Sequence, residues 1–370
     1  MRHLALRSKR AVRRRAVRLA RRVLPPRSSW HLTIPGADRL LELRWAARIR
    51  RAPELTPEEH AARVVDPARR GAEIEVPVGC VLCGHGRMQP LLHAYDHRRA
   101  TPRWNYPVVR CPACGLLYRH PGIRPERLGD LYSSGKYAKF LAGKYTRKRV
   151  RRYTTTMAPF GALFEDGAGR RLLDFGCGNG LFLDIAHERG FACYGVDLAE
   201  DAVEAARSKP SGAHVYHGSP VDIPEIAAGE FDVITMWSVL AHLPRPLDDV
   251  RMLRSLLAPD GVLLLLTVNA GSLKLRRELE AWGGFTPNHL VMFSPDPLRR
   301  LLRDAGFAAV VMPPWYSEPV ENGTSRLRER EQRRLRAAID RGNRGNMLRA
   351  AAFAAPDGPQ RWGMSGTPLR

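Results

Sequence analysis

Three glycines and two aspartates in the middle of the chain have the spacing of a nucleotide-cofactor site. Gly176, Gly178 and Gly180 follow Asp174 at the end of an apolar run, and Asp197 ends a second apolar run further along. Glycines allow a tight turn and let a ligand lie against bare backbone. A carboxylate at the end of the second strand can accept both ribose hydroxyls of an adenosine. The pattern therefore predicts a nucleotide-type cofactor site at this turn.

Four of the six cysteines have the spacing of a metal site. They form two C-x-x-C pairs, each followed by glycine, with 27 residues between the pairs: Cys80, Cys83, Cys111 and Cys114. Two such turns supply four thiolates in a tetrahedron, which suits a structural Zn²⁺. Disulfides, a redox pair, or a variant site that uses His85 or His97 are the alternatives.

Alternating strand and helix patterns surround the glycine turn. Strands are predicted near residues 171–175, 191–196, 213–217, 231–237, 261–268 and 307–312. Helices are predicted near residues 180–189, 199–208, 246–257 and 296–305. This alternation predicts an α/β fold with a doubly wound, mostly parallel sheet, whose strand ends would carry the cofactor site.

The motifs of this region resemble those of the class I S-adenosylmethionine-dependent methyltransferases, over residues 169–312. The turn reads G-x-G-x-G after a strand-end aspartate, whereas NAD sites favour G-x-G-x-x-G. Gly195–Asp197 resembles the second motif, Gly218–Pro224 the loop that covers the adenine, and Phe231–Pro244 the fourth strand with its following loop. The family often has an acid where Ser219 stands.

That resemblance implies an enzyme with a seven-stranded-type Rossmann-like sheet that binds S-adenosyl-L-methionine. The cofactor-binding residues that it implies are Asp174, Gly176, Cys177, Gly178, Gly180, Asp197, Leu198, Ser219 and Trp237. The loop after the fourth strand faces the transferred methyl group in this fold, which makes His242 the first candidate for a general base. His289 is the second candidate, and for both residues a purely structural role is the alternative.

The cysteine module resembles the zinc-binding leader of bacterial methyltransferases that are associated with sugar and glycan modification, over residues 78–140. It implies a small-molecule acceptor, most simply a sugar or a glycan-linked metabolite. One alternative is a methyltransferase of ribosomal or transfer RNA whose zinc module and basic ends bind phosphates. Another alternative is a non-catalytic protein that binds S-adenosylmethionine.

The charge of the chain is concentrated at its two ends. The net charge is +23, yet residues 1–51 hold 16 Lys/Arg against 2 Asp/Glu, and residues 323–370 hold 11 against 4. The body is nearly neutral, which weakens the argument for nucleic-acid binding by the catalytic region. Two predictions are open for the basic N-terminus. It is a helix that lies on an anionic membrane or on nucleic acid, or it is a solvated leader.

These patterns divide the chain into five predicted segments: a basic, partly helical or disordered extension (1–71), a zinc-ribbon-like module (72–122), a helical connector or lid (123–168), the methyltransferase domain (169–322) and a basic, partly disordered tail (323–370). No stretch is long and apolar enough for a transmembrane helix. With no signal-peptide pattern, we expect a reduced, cytoplasmic setting.

Overall fold

The computed structural model describes residues 37–64, 74–75, 78–95, 105–124, 146–209, 211–286, 288–315 and 329–369. The basic leader before residue 37 and His97 lie outside these ranges. The strands of the cysteine module are β1 (Ile74–Glu75), β2 (Gln89–Tyr95), β3 (Asn105–Arg110), β4 (Leu117–Arg119) and β5 (Gly122–Ile123). The remaining strands are β6 (Arg171–Phe175), β7 (Ala192–Asp197), β8 (His214–His217), β9 (Phe231–Trp237), β10 (Leu257–Val268), β11 (Val291–Met292), β12 (Ala309–Val311), β13 (Met347–Phe353) and β14 (Thr367–Pro368).

Eleven α-helices accompany these strands within the described ranges. They are α1 (Ala37–Arg51), α2 (Pro57–Val64), α3 (Thr146–Met157), α4 (Leu181–His187), α5 (Glu200–Arg207), α6 (Pro224–Ala227), α7 (Pro246–Leu256), α8 (Leu273–Glu278), α9 (Pro295–Asp304), α10 (Glu329–Asp340) and α11 (Gly358–Arg361). In this part of the chain, no helix combines the length and the apolar character needed to cross a bilayer.

The central sheet has eight strands in the order β14-β12-β13-β10-β9-β6-β7-β8. Strands β8, β7, β6, β9 and β10 run parallel to one another. Alternate residues of β10 enter two different apolar cores, Leu263 and Leu265 on one face of the sheet and Leu264 and Leu266 on the other. A central strand buried on both faces needs this continuous apolar run. The predicted doubly wound, mostly parallel sheet is confirmed.

Strand β13 lies in the segment for which the sequence predicted a partly disordered tail. It runs antiparallel to both β10 and β12, with Val262 opposite Phe353 and Val268 opposite Met347. Ala350, Ala351 and Ala352 are fully buried. Alanine has low strand propensity, so this run gives a weak local signal. Its pairing with β10 overrides that preference, and the tail is therefore part of the sheet in this region.

A second sheet joins the cysteine module to the C-terminal half of the chain. Its order is β11-β4-β3-β2, and β11 comes from a segment that follows β10 by more than twenty residues. Val291 is opposite Tyr118 and Met292 is opposite Leu117. The module therefore does not end at its own last strand, because it shares a sheet with the α/β region.

Candidate functional site

The glycine turn connects β6 to α4 at the carboxyl edge of the central sheet. Gly176, Gly178 and Gly180 have φ values of +74°, +55° and +72°, a region that side-chain-bearing residues rarely adopt. The Gly176 N–H donates to the Val196 carbonyl at 2.8 Å, which ties the turn to β7. A Cβ atom at Gly176 would overlap Cγ2 of Val239, in the loop after β9. The turn therefore needs glycine for its conformation and for the close approach of this loop.

The Asp197 carboxylate lies beside the turn and is held by backbone donors. The Gly178 N–H donates to Oδ2 at 2.8 Å and the Ala199 N–H donates to Oδ1 at 2.9 Å. Burial raises the pKa of Asp197, although these backbone hydrogen bonds oppose the shift. An ionised carboxylate has about four acceptor positions, so two remain after these bonds. The arrangement suits a pair of ribose hydroxyls at the end of β7.

Asp174 is buried under the turn, between the ends of β6 and β9. Thr235 on β9 donates its hydroxyl to Asp174 Oδ1 at 2.6 Å. Burial raises the pKa of Asp174 to about 7, and the Thr235 hydrogen bond opposes that rise. The side chain is only 2% exposed. The Asp174 side chain therefore lies beneath the turn and links β6 to β9 through its hydrogen bond to Thr235.

The cysteine within the turn packs against β7. Cys177 is buried, and a Cβ atom at Gly195 would lie 2.9 Å from its sulfur. Burial raises the pKa of this thiol well above its ordinary value. Its side chain thus fixes the spacing between the turn and β7, and a ligand contact, if made, would come from its backbone.

Two exposed apolar side chains lie in the segments that follow β7 and β8. Leu198 is 49% exposed and Val221 is 57% exposed, which is unusual for large apolar residues in this protein. The Gly218 N–H donates to the Asp197 carbonyl at 3.1 Å, which brings Gly218 and Ser219 next to β7. Exposed apolar side chains in these two segments suit contact with a flat aromatic base. Sequence reasoning did not name Val221, although it lies in the loop that resembles an adenine cover.

The end of β9 carries a buried indole N–H that has no partner within the described ranges. Trp237 is 8% exposed, and its Nε1 donates to no atom there. Its ring packs edge-on against Phe182 at 4.9 Å and against Tyr153 at 5.9 Å between ring centroids. A buried donor without an acceptor costs free energy, which a polar ligand group could recover. Trp237 is thus both a core aromatic and a candidate ligand contact.

Helix α3 packs over this end of the sheet. Arg152 donates from Nη2 to the hydroxyl of Ser238 at 3.2 Å. Ser238 follows β9 directly and has a φ of +65°, a strained conformation for a residue with a side chain. Burial raises the pKa of Tyr153, one residue along the helix, to about 12. The connector predicted from the sequence therefore contributes side chains to the end of β9. The part of the predicted connector or lid that contains Tyr132 and Tyr137 lies outside the described residues.

The two candidate bases lie side by side. The rings of His242 and His289 meet edge-on with centroids 4.9 Å apart. Burial, and then the proximity of His289, lowers the pKa of His242 to about 3, while the Ser238 and Asn288 backbones favour its protonated form. Nδ1 of His289 is hydrogen-bonded to the Gly284 carbonyl, so this nitrogen must carry the proton. A neutral His289 ring therefore has its lone pair on Nε2.

The four cysteines of the module converge on one point. Their sulfur atoms all lie within 4.8 Å of one another, with Cys80–Cys114 and Cys83–Cys111 distances of 3.6 Å. A tetrahedron with metal–sulfur bonds of about 2.3 Å has sulfur–sulfur edges of about 3.8 Å. All six cysteines of the chain are free thiols. The donor set and its spacing fit a four-thiolate metal site.

The backbone around the two cysteine pairs repeats the same turn. The Gly84 N–H donates to the Cys80 carbonyl at 2.8 Å, and the Gly115 N–H donates to the Cys111 carbonyl at 2.9 Å. These glycines have φ values of +69° and +77°. His85 contributes only its carbonyl here, which accepts from the Cys80 N–H at 2.9 Å. The cluster is therefore built from the four cysteines.

Residues 143–311 match a family model described as "Methyltransferase domain". A relative named ubiquinone biosynthesis O-methyltransferase, from Aromatoleum aromaticum, is 31% identical over 150 residues, which are 38% of this chain and 64% of the relative. A relative of the same name from Xanthomonas axonopodis pv. citri is 40% identical over 106 residues, 28% of this chain and 44% of the relative. The chain thus spans less than two thirds of the length of these curated relatives.

Among solved structures, the fold is similar to magnesium protoporphyrin IX methyltransferase from Synechocystis with bound SAH. That similarity has a TM-score of 0.44 and 16% identity, and it covers 63% of this chain and 100% of the other. The sequence match bears on the cofactor turn directly, because residues 143–311 include α3, the glycine turn, Asp197 and the histidine pair. Residues 143–311 are therefore similar to a methyltransferase domain, and the central sheet that they contribute to is Rossmann-like.

Proposed function

We propose that this protein is an S-adenosylmethionine-dependent methyltransferase that acts on a small molecule. The observation that carries the proposal is the Asp197 carboxylate, which Gly178 and Ala199 hold at the mouth of a positive-φ glycine turn. In this assignment Asp197 binds the ribose, Leu198 and Ser219 lie beside the adenine, and Trp237 contacts the methionine part. The cofactor supplies a methyl group on a sulfonium sulfur, and the chain has to position it and prepare the acceptor.

The histidine pair is the proposed proton acceptor for a hydroxyl on the substrate. The Gly284 carbonyl keeps the proton on Nδ1 of His289, so Nε2 can take the proton that the acceptor oxygen loses as it bonds to the methyl carbon. A bound S-adenosylmethionine would supply the methyl carbon, and its sulfur would keep the electron pair of the carbon–sulfur bond that breaks. His242, whose pKa is lowered to about 3 by burial and by the neighbouring His289, acts in this proposal chiefly by positioning His289.

The acceptor class rests on two similarities. The curated relatives are named for O-methylation in ubiquinone biosynthesis, a small-molecule reaction. The cysteine module resembles that of sugar-modifying methyltransferases. We therefore propose a hydroxyl-bearing small molecule, with sugar-linked metabolites as the first class to test.

The proposed metal is a structural Zn²⁺ held by Cys80, Cys83, Cys111 and Cys114. Four thiolates leave no open coordination position, so the ion would organise the module without taking part in methyl transfer. Thiolate ligands require reducing conditions, which supports a cytoplasmic location for the protein. Metal analysis of freshly reduced protein should give about one zinc per chain. Cys114→Ser should lower that content, whereas Cys193→Ser, which changes a buried thiol outside the cluster, should leave it unchanged.

The cofactor assignment is tested by calorimetric binding of S-adenosylhomocysteine. Asp197→Ala should weaken binding by about tenfold or more, because charged hydrogen bonds contribute about 1.5–3 kcal/mol each. Asp201→Ala is the matched control, since Asp201 is exposed in the first turn of α5. Equal affinity of the two variants would refute the cofactor assignment.

The acceptor is then sought with a methyl-labelled cofactor. Nucleotide sugars, phenolic acceptors and total RNA are compared at low and at high salt, because phosphate contacts weaken as salt rises. Transfer to a small molecule supports the proposal. Label that appears only in RNA, and is lost at high salt, would favour the RNA methyltransferase. Tight cofactor binding without transfer to any acceptor would favour the non-catalytic alternative.

A further inference from the structure

The segment from Gly284 to Phe293 connects the cysteine module to the histidine pair. On one side, β11 pairs with β4 of the module, and the Arg119 N–H donates to the Leu290 carbonyl at 2.8 Å. On the other side, the Leu290 N–H donates to the Ala241 carbonyl at 2.7 Å. Both backbone groups of Leu290 are therefore used, one toward the module and one toward the loop that carries His242.

A side-chain hydrogen bond from the module holds the start of the same segment. Tyr106 on β3 donates its hydroxyl to the Thr286 carbonyl at 2.7 Å. Tyr106 is 4% exposed, so this bond is shielded from water. His289 lies between the two attachment points, and its ring is hydrogen-bonded to Gly284 at the beginning of the segment. The position of the His289 ring is thus set by contacts that come from β3 and β4.

The second cysteine pair is the turn between those two strands. Strand β3 ends at Arg110 and β4 begins at Leu117, with Cys111 and Cys114 between them. The apolar core beside the turn is also shared, because buried residues of the module, including Leu116 and Tyr118, pack in one cluster with Leu240 and Val291. A metal ion that fixes the four sulfurs would therefore fix the β3–β4 hairpin and, through it, β11.

We propose that the four-cysteine module positions the histidine pair, so that occupancy of the cysteine site by metal sets the order of residues 284–293. The role of residues 284–293 in placing the histidine pair next to the substrate rests on the proposed function. The dependence of their order on the metal does not rest on it. In this view Tyr106 and Leu290 are positioning residues. Leu173 on β6 and Val196 on β7 share the apolar cluster with the module, but the glycine turn is hydrogen-bonded to β7, so it should respond less than residues 284–293 to loss of the metal.

The direct test is hydrogen–deuterium exchange of the full chain, loaded with Zn²⁺ and after chelation, with metal content measured in both samples. Loss of the ion should speed exchange at the Leu290 and Arg119 amides by about tenfold, the change expected for local opening. Amides of β6 and β7 should change by less than about twofold, as should the affinity for S-adenosylhomocysteine. Unchanged exchange at residues 284–293 would overturn the proposal. So would equal loss of protection in β6 and β7, or a chain that binds no Zn²⁺.

A second test leaves the cysteines intact. Tyr106→Phe removes the hydroxyl that holds Thr286, and Tyr194→Phe is the matched control because Tyr194 lies on β7, away from the segment. Tyr106→Phe should speed exchange at residues 284–290 by about fivefold, as expected for one net hydrogen bond, and the control should not. With an acceptor in hand, Tyr106→Phe should change acceptor KM or kcat while the KM for the methyl donor stays constant.

Failure of this inference can be told apart from failure of the proposed function. Absence of S-adenosylhomocysteine binding in the wild-type protein would refute the methyltransferase assignment and leave the exchange result intact. A second outcome is normal binding of S-adenosylhomocysteine with an exchange rate at residues 284–293 that changes neither on metal removal nor in Tyr106→Phe. This outcome would refute only the positioning role.

Discussion

Replacing Gly176 with alanine tests whether the cofactor turn depends on the close approach of two loops. The residue has a φ of +74°, and an added Cβ would overlap Cγ2 of Val239 in the loop after β9. The left-handed backbone costs a non-glycine residue about 1–2 kcal/mol. Overpacking against a stiff β-branched side chain costs about 1–3 kcal/mol more. We therefore expect Gly176→Ala to lower the free energy of unfolding by about 2–5 kcal/mol.

Two further variants separate these contributions. Gly212 has a φ of +60°, and a Cβ atom there would meet nothing within 4 Å, so Gly212→Ala carries only the backbone cost. Val239→Ala removes the overlapping methyl groups. The double variant Gly176→Ala/Val239→Ala should therefore be more stable than the sum of the single changes predicts, by about 1–3 kcal/mol.

The assay is urea unfolding of the four variants alongside the wild type, with S-adenosylhomocysteine affinity measured on each folded protein. Gly176→Ala should bind the ligand more weakly, because the displaced turn no longer presents its backbone to it, and Gly212→Ala should bind normally. If Gly176→Ala is no more harmful than Gly212→Ala, or if the double variant shows no coupling, then the loop after β9 does not support the turn as argued.

Three other predictions concern the buried polar groups. Because burial raises the pKa of Asp174 to about 7, this residue destabilises the fold increasingly as the pH rises from about 4 to 7. In urea unfolding measured over that pH range, the free energy of unfolding of Asp174→Asn should rise relative to that of the wild type by up to about 4 kcal/mol. His60 and His120 are buried with Nδ1 atoms 2.9 Å apart, and burial lowers their pKa values to about 4 and about 3. The unfolded chain therefore binds more protons below pH 6.5, stability falls on acidification toward pH 4, and His120→Gln should flatten that fall in the same unfolding series. Trp237→Phe should change stability by less than about 1 kcal/mol but weaken S-adenosylhomocysteine binding about fivefold in calorimetry, if the ligand accepts the unpartnered indole N–H; equal affinity would assign Trp237 to packing alone.

The glycine turn and the two aspartates beside it could be located from the sequence because their signals are local. A glycine turn, the strand before it and the acid at the next strand end lie within 27 residues, and each has a strong backbone or charge preference. The sequence did not indicate which distant residues contact the turn and its aspartates. Thr235 reaches Asp174 from a strand that is 61 residues away, and Val239 explains Gly176 only once β9 is placed beside β6.

Non-local pairing also explains why β13 was missed. Its Ala350–Ala352 run has neither the alternation nor the β-branched residues of a strand, and its basic surroundings are typical of a solvated tail. The strand forms because its backbone pairs with β10 on one side and with β12 on the other. Arg349 then becomes nearly buried and donates to the Thr155 and Pro314 carbonyls, so part of the charge assigned to a tail holds the sheet against α3.

The same reasoning changes the meaning of the cysteine module. From the sequence it reads as a separate unit, because its four cysteines span only residues 80–114 and lie far from the glycine turn. In the structure its hairpin takes β11 as a further strand, and the Leu290 N–H continues the hydrogen bonding to Ala241, next to His242. The donor side of the site belongs to β6, β7 and β9, whereas the histidine side is held in part by a module that precedes them in the chain. Under the proposed assignments, chelation of Zn²⁺ and Asp197→Ala should therefore produce different defects, the first in the order of residues 284–293 and the second in the affinity for S-adenosylhomocysteine.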